Sequence, residues 1–490
     1  MWRQRSVSYD GRGTVRPFDK DTIVKRPILG TILILLLTGP WAAVFAQSTG
    51  GAGSWPGWEM ARAGDIDGIL PLRERARVYN EVLEWRLDNL LPAIMREEGV
   101  EMWVVINFEY DEDPVYMTLV PEPIMSARRL SILIFHDSRD GFKKLTANWH
   151  GSGSAGGMYE SIFTDRSMGA NHQFTVLADY IREHDPRNIA IDYAPHYEYV
   201  DEFSHANGLS AFHKDLLEQA LDEEYLERLV PSQEIVMRWY ETRSPRELSL
   251  YRHLAGIGHD LIGEFFSNQV IVPDVTTAED VRWWIRQRIS DLGLDTWFHP
   301  SIDIRRSPED AELYGPDDDV IRRGDLLHCD VGITYLGLNT DMQHNAYVLR
   351  IGETEAPEGL RELLRKGNRL QEIHMEEMRP GRTGNEILAS ILERGNAEGL
   401  RPTVYSHPVG PYGHGSGTMF GMTEKQEFVP GTGEHPLHVN TVYAMEFSVA
   451  GDVPEWGGVE VSMGLEDQAV VTARGASLVD GYPRSLYLIR

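Results

Sequence analysis

The chain has 490 residues, 42% of them hydrophobic and 25% charged, and a formal net charge of −28. That length exceeds the roughly 250–300 residues at which one core stops growing, so two folded domains are expected, and the composition is globular rather than disordered. So acidic a surface argues against nucleic acid or anionic lipid as the main partner, while the single cysteine, Cys329, excludes an intrachain disulfide and a Cys-rich zinc site and leaves oxygen and imidazole as metal donors.

In chain order, the first signal is a targeting one. Lys25 and Arg26 precede an apolar run at 28–37, Gly39-Pro40 ends it, and Val44-Phe45-Ala46 offers small residues for a cut after Ala46. Basic start, short apolar stretch and small-residue site together read as a secretory signal over 1–46. Export to the periplasm or the outside is therefore expected, with no stable membrane span after cleavage. Residues 47–69 begin rich in Gly and Ser and read as a flexible leader.

A helical pattern follows over about 70–98, with Leu83, Leu87, Leu90 and Leu91 on one face. Runs at 102–106 and 130–135 read as buried strands, followed by a helix over 174–184 and a strand over 188–192. Helices alternating with strands predict an α/β domain over 70–235. Its histidines, His150, His172 and His184, are scattered and are read as surface or capping residues. Ser244-Pro245 is a helix start, with Ser244 as N-cap, Pro245 as first helical residue, and an end near Asn268. The second domain is placed over 236–490.

The chemistry lies in that second domain. The stretch 326–341 reads as a hairpin turning about Tyr335-Leu336, which sets Asp330 opposite Asp341. Two carboxylates facing across a strand pair repel, so a divalent cation between them is the natural partner. His328 alternates with Asp330 on one strand face, and Cys329 should face the core. Glu446 and Glu466 lie in two further apolar strands. A lone acid in such a strand costs several kcal/mol unless it is paired or bound to metal. Between the two acid pairs stands Gly413-His414-Gly415. By itself a glycine-rich loop with a solvated histidine is common; its place between the acid pairs makes His414 a candidate ligand.

The series Asp330, Asp341 eleven positions later, Gly-His-Gly at 413–415, Glu446, and Gly464-Leu465-Glu466-Asp467 resembles the metallopeptidase family of aminopeptidase P, prolidase, methionine aminopeptidase and creatinase. The resemblance implies an α+β pita-bread catalytic domain preceded by an α/β domain of the creatinase type. It implies two divalent metal ions, Mn first with Co or Zn as alternatives. Asp330 would be a terminal ligand to one ion, His414 and Glu446 would bind the other, and Asp341 and Glu466 would bridge them. A metal-bridging hydroxide would attack the N-terminal bond of a short peptide, with Xaa-Pro as the first substrate to consider, and Glu446 would shuttle a proton. Pairing into a homodimer is also expected from the family.

The chain departs from the family pattern around those ligands. Members carry a second histidine seven residues after the ligand histidine, where this chain has Gly421. They carry Thr-Arg after the second aspartate, where Gln343-His344 stands, a histidine in the stretch occupied by 311–315, and an arginine at the place of Gly464. His407 and His299 are the candidates to replace the missing catalytic histidines. The altered surroundings keep two alternatives open: a metal-dependent hydrolase of a non-peptide amide or ester, and a non-catalytic binding protein on the same fold.

Overall fold

The computed structural model describes residues 68–149, 157–193 and 208–490. The expected signal at 1–46, nearly all of the leader at 47–69, and His150 lie outside the described residues. Everything described below belongs to the unit Pro56–Arg490. No described helix is long and apolar enough to cross a membrane.

The helical pattern at 70–98 forms one run. It comprises Leu72–Trp85, a π-helical turn Arg86–Leu90, and Leu91–Glu97. Leu83, Leu87 and Leu91 are buried against a six-stranded sheet, with Leu90 packed at their edge. That sheet contains β1 (Met102–Phe108), β2 (Leu130–Ser138), β3 (Gly141–Thr146), β4 (Glu160–Ser161), β5 (Ile189–Ile191) and β6 (Leu229–Pro231), in the order β4-β3-β2-β1-β5-β6. The β1–β2 and β2–β3 pairs are antiparallel, whereas β5 joins β1, β6 joins β5 and β4 joins β3 in parallel. The domain is therefore mixed, not a simple alternation of strand and helix. Both faces of β1 are covered. Trp103 and Val105 enter one apolar cluster, and Met102, Val104 and Ile106 enter the other. This explains its unbroken apolar sequence.

The helix Gln233–Glu241 buries Ile235, Val236, Trp239 and Tyr240 in the N-terminal core, whereas Pro245–Phe265 belongs to another. The core thus changes after Glu241, some residues beyond 235. Ser244 caps Pro245–Phe265 as expected. Glu247 adds the reciprocal half of a capping box, its carboxylate accepting from the Ser244 amide. The same carboxylate holds Arg86 at 2.9 Å and Arg243 at 3.1 Å, all three side chains being buried. A buried pair of this kind defines position more than it adds stability.

The C-terminal domain has the strands β7 (Ser301–Arg305), β8 (Leu326–Val331), β9 (Thr334–Tyr335), β10 (Leu338–Asn339), β11 (Met342–Val348), β12 (Pro402–Val404), β13 (His407–Pro408), β14 (Val442–Val453), β15 (Val459–Thr472), β16 (Gly475–Leu478) and β17 (Tyr487–Ile489). The main path is β12-β14-β15-β11-β8-β7. β13 pairs with β14, β16 with β15, and β17 with β11, while β9 and β10 form a separate ribbon. Two helix pairs pack on the sheet. Pro245–Phe265 and Ala278–Asp291 share a core with Cys329 and Met342, and Glu358–Glu377 and Gly384–Ala397 share one with Met445 and Leu465. These strand residues alternate with Asp330, Glu446 and Glu466. The helices therefore cover the back of the sheet and leave the acids on its other face.

Candidate metal centre

Strand register builds the site. Glu446 on β14 stands directly opposite Glu466 on β15, Glu466 opposite Gln343 on β11, and Gln343 opposite Asp330 on β8. Four strands thus carry one row of polar side chains across the open face. The hairpin expectation needs a correction here. Its turn lies at Leu336-Gly337, both at positive φ, so Asp330 pairs with Gln343 rather than Asp341. Asp341 sits just before β11, two residues from Gln343. A two-residue offset keeps a side chain on the same face, so Asp330 and Asp341 still converge, diagonally.

The row is buried and short of partners. Both carboxylate oxygens of Glu466, Asp330 Oδ1, Asp341 Oδ1 and His407 Nε2 are buried without a hydrogen bond. Burial first, and then mutual repulsion, pushes Asp341 and Glu466 well above the carboxylate range; the Gln343 amide offsets this for Glu466 only in part. Burial also raises Asp330 to about 6, and burial with the Asp330 charge raises Glu446 to about 8. Unpaired carboxylates in such a place each cost several kcal/mol. Positive charge on this face removes that cost, and bare oxygens with one bare imidazole nitrogen suit hard or borderline divalent cations. The donors fall into triads whose ligand atoms lie within 4.8 Å of one another: Asp330, Asp341 and Glu466; His407, Glu446 and Glu466; and Asp341, His407 and His414.

The two histidines differ. His407, on β13, is buried, with Nδ1 3.0 Å from the Pro408 carbonyl and Nε2 3.8 Å from both Asp341 Oδ2 and Glu446 Oε2. An Nδ1–H donated to that carbonyl leaves the Nε2 lone pair facing the acids. Burial and then the neighbouring His414 charge pull its pKa to about 4, opposed only in part by the Pro408 and Gly413 carbonyls, so the ring is neutral at pH 7. His414 is exposed, its ring 4.9 Å from that of His407 and 5.1 Å from that of Trp297. Gly413 is needed for this packing, since a Cβ there would lie 2.1 Å from the Trp297 ring. Tyr412 then donates to the Pro114 carbonyl at 2.7 Å, tying the loop to the N-terminal domain.

His299 is not brought to this cluster. It is exposed, 3.3 Å from an Arg286 Nη and beside Trp283. The preceding Trp297 turns the chain inward instead, donating to the Thr340 carbonyl at 3.0 Å. The earlier histidines stay apart as well: His184 Nδ1 lies against the Tyr180 carbonyl, and His172 ends a short 3-10 turn.

Gln343 and Tyr405 were not foreseen as parts of the site. Gln343 carried a signal, because it lies two residues after Asp341 and so on the same face as that acid. Tyr405, half-buried two residues before His407, has a phenol raised by burial first and then by the charges of Glu446, Glu466 and Asp330. No pattern in the sequence marks it. On the back of the sheet a second polar cluster closes on itself. His259 bridges Asp467 at 3.1 Å and Asp480 at 2.9 Å, and His344 reaches the same Asp467 oxygen at 3.1 Å.

Residues 249–473 match the metallopeptidase family M24. The C-terminal domain belongs to that family. Among solved structures, this chain is similar to the X-Pro aminopeptidase of Thermotoga maritima, at 14% identity and a TM-score of 0.56, over 81% of this chain and 99% of that one. It is similar to the Xaa-Pro dipeptidase of Bacillus anthracis at 15% identity and 0.52, over 83% and 99%. It is also similar to zinc-substituted aminopeptidase P of E. coli at 12% and 0.50, over 84% and 95%. At such identities the likeness concerns the fold, which spans both domains. No curated protein matches the sequence. The M24 domain is that of a metal-dependent peptidase, with the acid row as its candidate metal site.

Proposed function

We propose that this M24 peptidase holds two divalent ions between Asp330, Asp341, His407, Glu446 and Glu466, and removes the N-terminal residue of short peptides, Xaa-Pro peptides first among them. The observation that carries the reading is the pair of donor triads sharing Glu466, whose two oxygens lack partners, with orphaned oxygens of Asp330 and Asp341 on one side and the orphaned His407 Nε2 on the other. In this arrangement Asp330, Asp341 and Glu466 would hold one ion, and His407, Glu446 and Glu466 the other. His407 thus takes the ligand place first given to His414. The spacing supports the exchange, because His414 follows His407 by seven residues, the interval at which the resemblance sets its second histidine. The missing histidine is then His414 itself, and Gly421 ceases to be a departure.

When bound, two such ions would supply Lewis acidity and lower the pKa of a water. Glu446 Oε2, facing His407, is placed to take a proton and return it to the leaving amine. His414, at the open side beside Trp297, is placed to meet the substrate. Manganese is the proposed ion, since carboxylate-rich ligation with one imidazole suits it, with cobalt and zinc as alternatives; the E. coli relative takes zinc. The test is metal content per chain after dialysis, wild type against Asp341→Ala, followed by hydrolysis of Xaa-Pro and Xaa-Ala peptides by Mn-loaded protein. About two ions lost in the variant, with Xaa-Pro cleavage, are expected. Absence of bound metal, or inertness toward every peptide, would sink the proposal. Export and homodimerisation remain parts of the same proposal, checked by N-terminal sequencing of the mature protein and by its mass in solution.

A further inference from the structure

Gln343 occupies an unusual place. It is the one amide in a ladder row of acids, with Asp330 on one side and Glu466 on the other. Its Nε2 donates to Glu446 Oε1, two strands away. An amide that donates there must turn its carbonyl oxygen elsewhere, and Gln343 Oε1 lies 3.0 Å from His328 Nε2. That contact requires Nε2–H on His328, and it fixes which way the amide is flipped. His328 is itself backed by Asp303, whose Oδ2 lies 3.5 Å from Nδ1. The space for this chain exists because residue 464 has no side chain. A Cβ there would lie 2.9 Å from His328 Nε2 and 3.0 Å from Gln343 Oε1.

We propose that Gln343, locked by His328, is the positioning residue for Glu446. It occupies Oε1 and so presents Oε2 toward His407 and the site centre, 3.8 Å from Nε2. A carboxylate free to rotate offers either oxygen and loses orientational entropy when it binds an ion or accepts a proton. One whose second oxygen already accepts a hydrogen bond does not. The Gln343-His344 and Gly464 departures noted in the sequence include one connected device on the open face: Gly464 vacates the volume that Gln343 and His328 fill.

The inference rests on the metal-site reading of Glu446, and its test separates the two. Mn(II) affinity of the full chain is titrated for wild type, Gln343→Leu, His328→Leu and His328→Gln, with the Co(II) absorption spectrum and kcat and KM recorded alongside. Gln343→Leu is expected to weaken Mn binding roughly 10–100-fold, the range typical of residues that orient metal ligands, to alter the Co(II) spectrum, and to lower kcat more than KM rises. His328→Leu should show a smaller loss of the same kind. His328→Gln, which can still donate an N–H to the Gln343 carbonyl oxygen, should restore most of it. Gln343→Leu and His328→Leu with wild-type Mn affinity and an unchanged Co(II) spectrum would overturn the proposal. If Gln343→Leu does not fold, His328→Leu against His328→Gln decides. Wild-type protein that takes up no Mn would overturn the metal-site reading itself.

Discussion

At position 407 a neutral imidazole is held by one backbone carbonyl so that its free nitrogen meets two carboxylates. Removing it takes a donor from a place where oxygens already lack partners. His407→Ala is therefore expected to lose bound metal and to lower kcat by more than about 100-fold, beyond the range seen for residues one layer further out. His414→Ala should keep its metal, because His414 is exposed and the buried donors remain. Its effect should fall on turnover of peptide substrates. Elemental analysis beside steady-state kinetics distinguishes the two; metal loss in His414→Ala with retention in His407→Ala would reverse the assignment.

Among the elements, the loop from His407 to Gly415 and the helix Pro245–Phe265 do the placing. Gly413 lets the loop lie against Trp297. Gly413→Ala puts a carbon 2.1 Å from the ring, so loop or indole must move. Overpacking of this kind costs about 1–3 kcal/mol, and activity should fall with a shift in tryptophan emission while the helices persist by circular dichroism. At the start of Pro245–Phe265, Ser244→Ala removes the acceptor for the Glu247 amide. A loss of about 1 kcal/mol in denaturant unfolding is expected, with metal content unchanged, since the cap lies outside the acid row.

For the whole molecule, stability should depend on metal and on pH. Ions bound only by the folded chain add RT ln(1 + [L]/Kd), about 2.7 kcal/mol at a hundredfold excess over Kd. EDTA should therefore lower Tm, and Asp341→Ala should be insensitive to it. Behind the sheet, burial alone would lower the His259 pKa. Hydrogen bonds to Asp467 and Asp480, and their charges, outweigh burial and carry it to about 9. A pKa raised from 6.5 to about 9 corresponds to roughly 3 kcal/mol. That contribution is complete below about pH 6.5 and is lost as pH rises through 9. The Tm gap between wild type and His259→Gln should accordingly be widest near pH 6 and narrow toward pH 10; a gap independent of pH would show that His259 acts by packing alone.

The strands, the acids and their face were legible in the sequence because period-two alternation survives any short-range error. A turn misplaced by one residue shifted the Asp330 partner from Asp341 to Gln343 yet left both acids on one face. Capping at Ser244 and the burial of Leu83, Leu87 and Leu91 were legible for the same reason, since each depends on neighbours within a turn or two of chain. Which histidine faces the acids was not. His407 and His414 share one loop, and only the return of β13 onto β14, the carbonyl at Pro408 and the indole of Trp297 decide which ring is buried with a bare nitrogen. Nor could local sequence pair Gln343 with Glu446, because their hydrogen bond spans two strands that the chain joins a hundred residues apart. Local periodicity determined what each element offers; the sheet register, a property of the assembled strands, decided which of those offers meet.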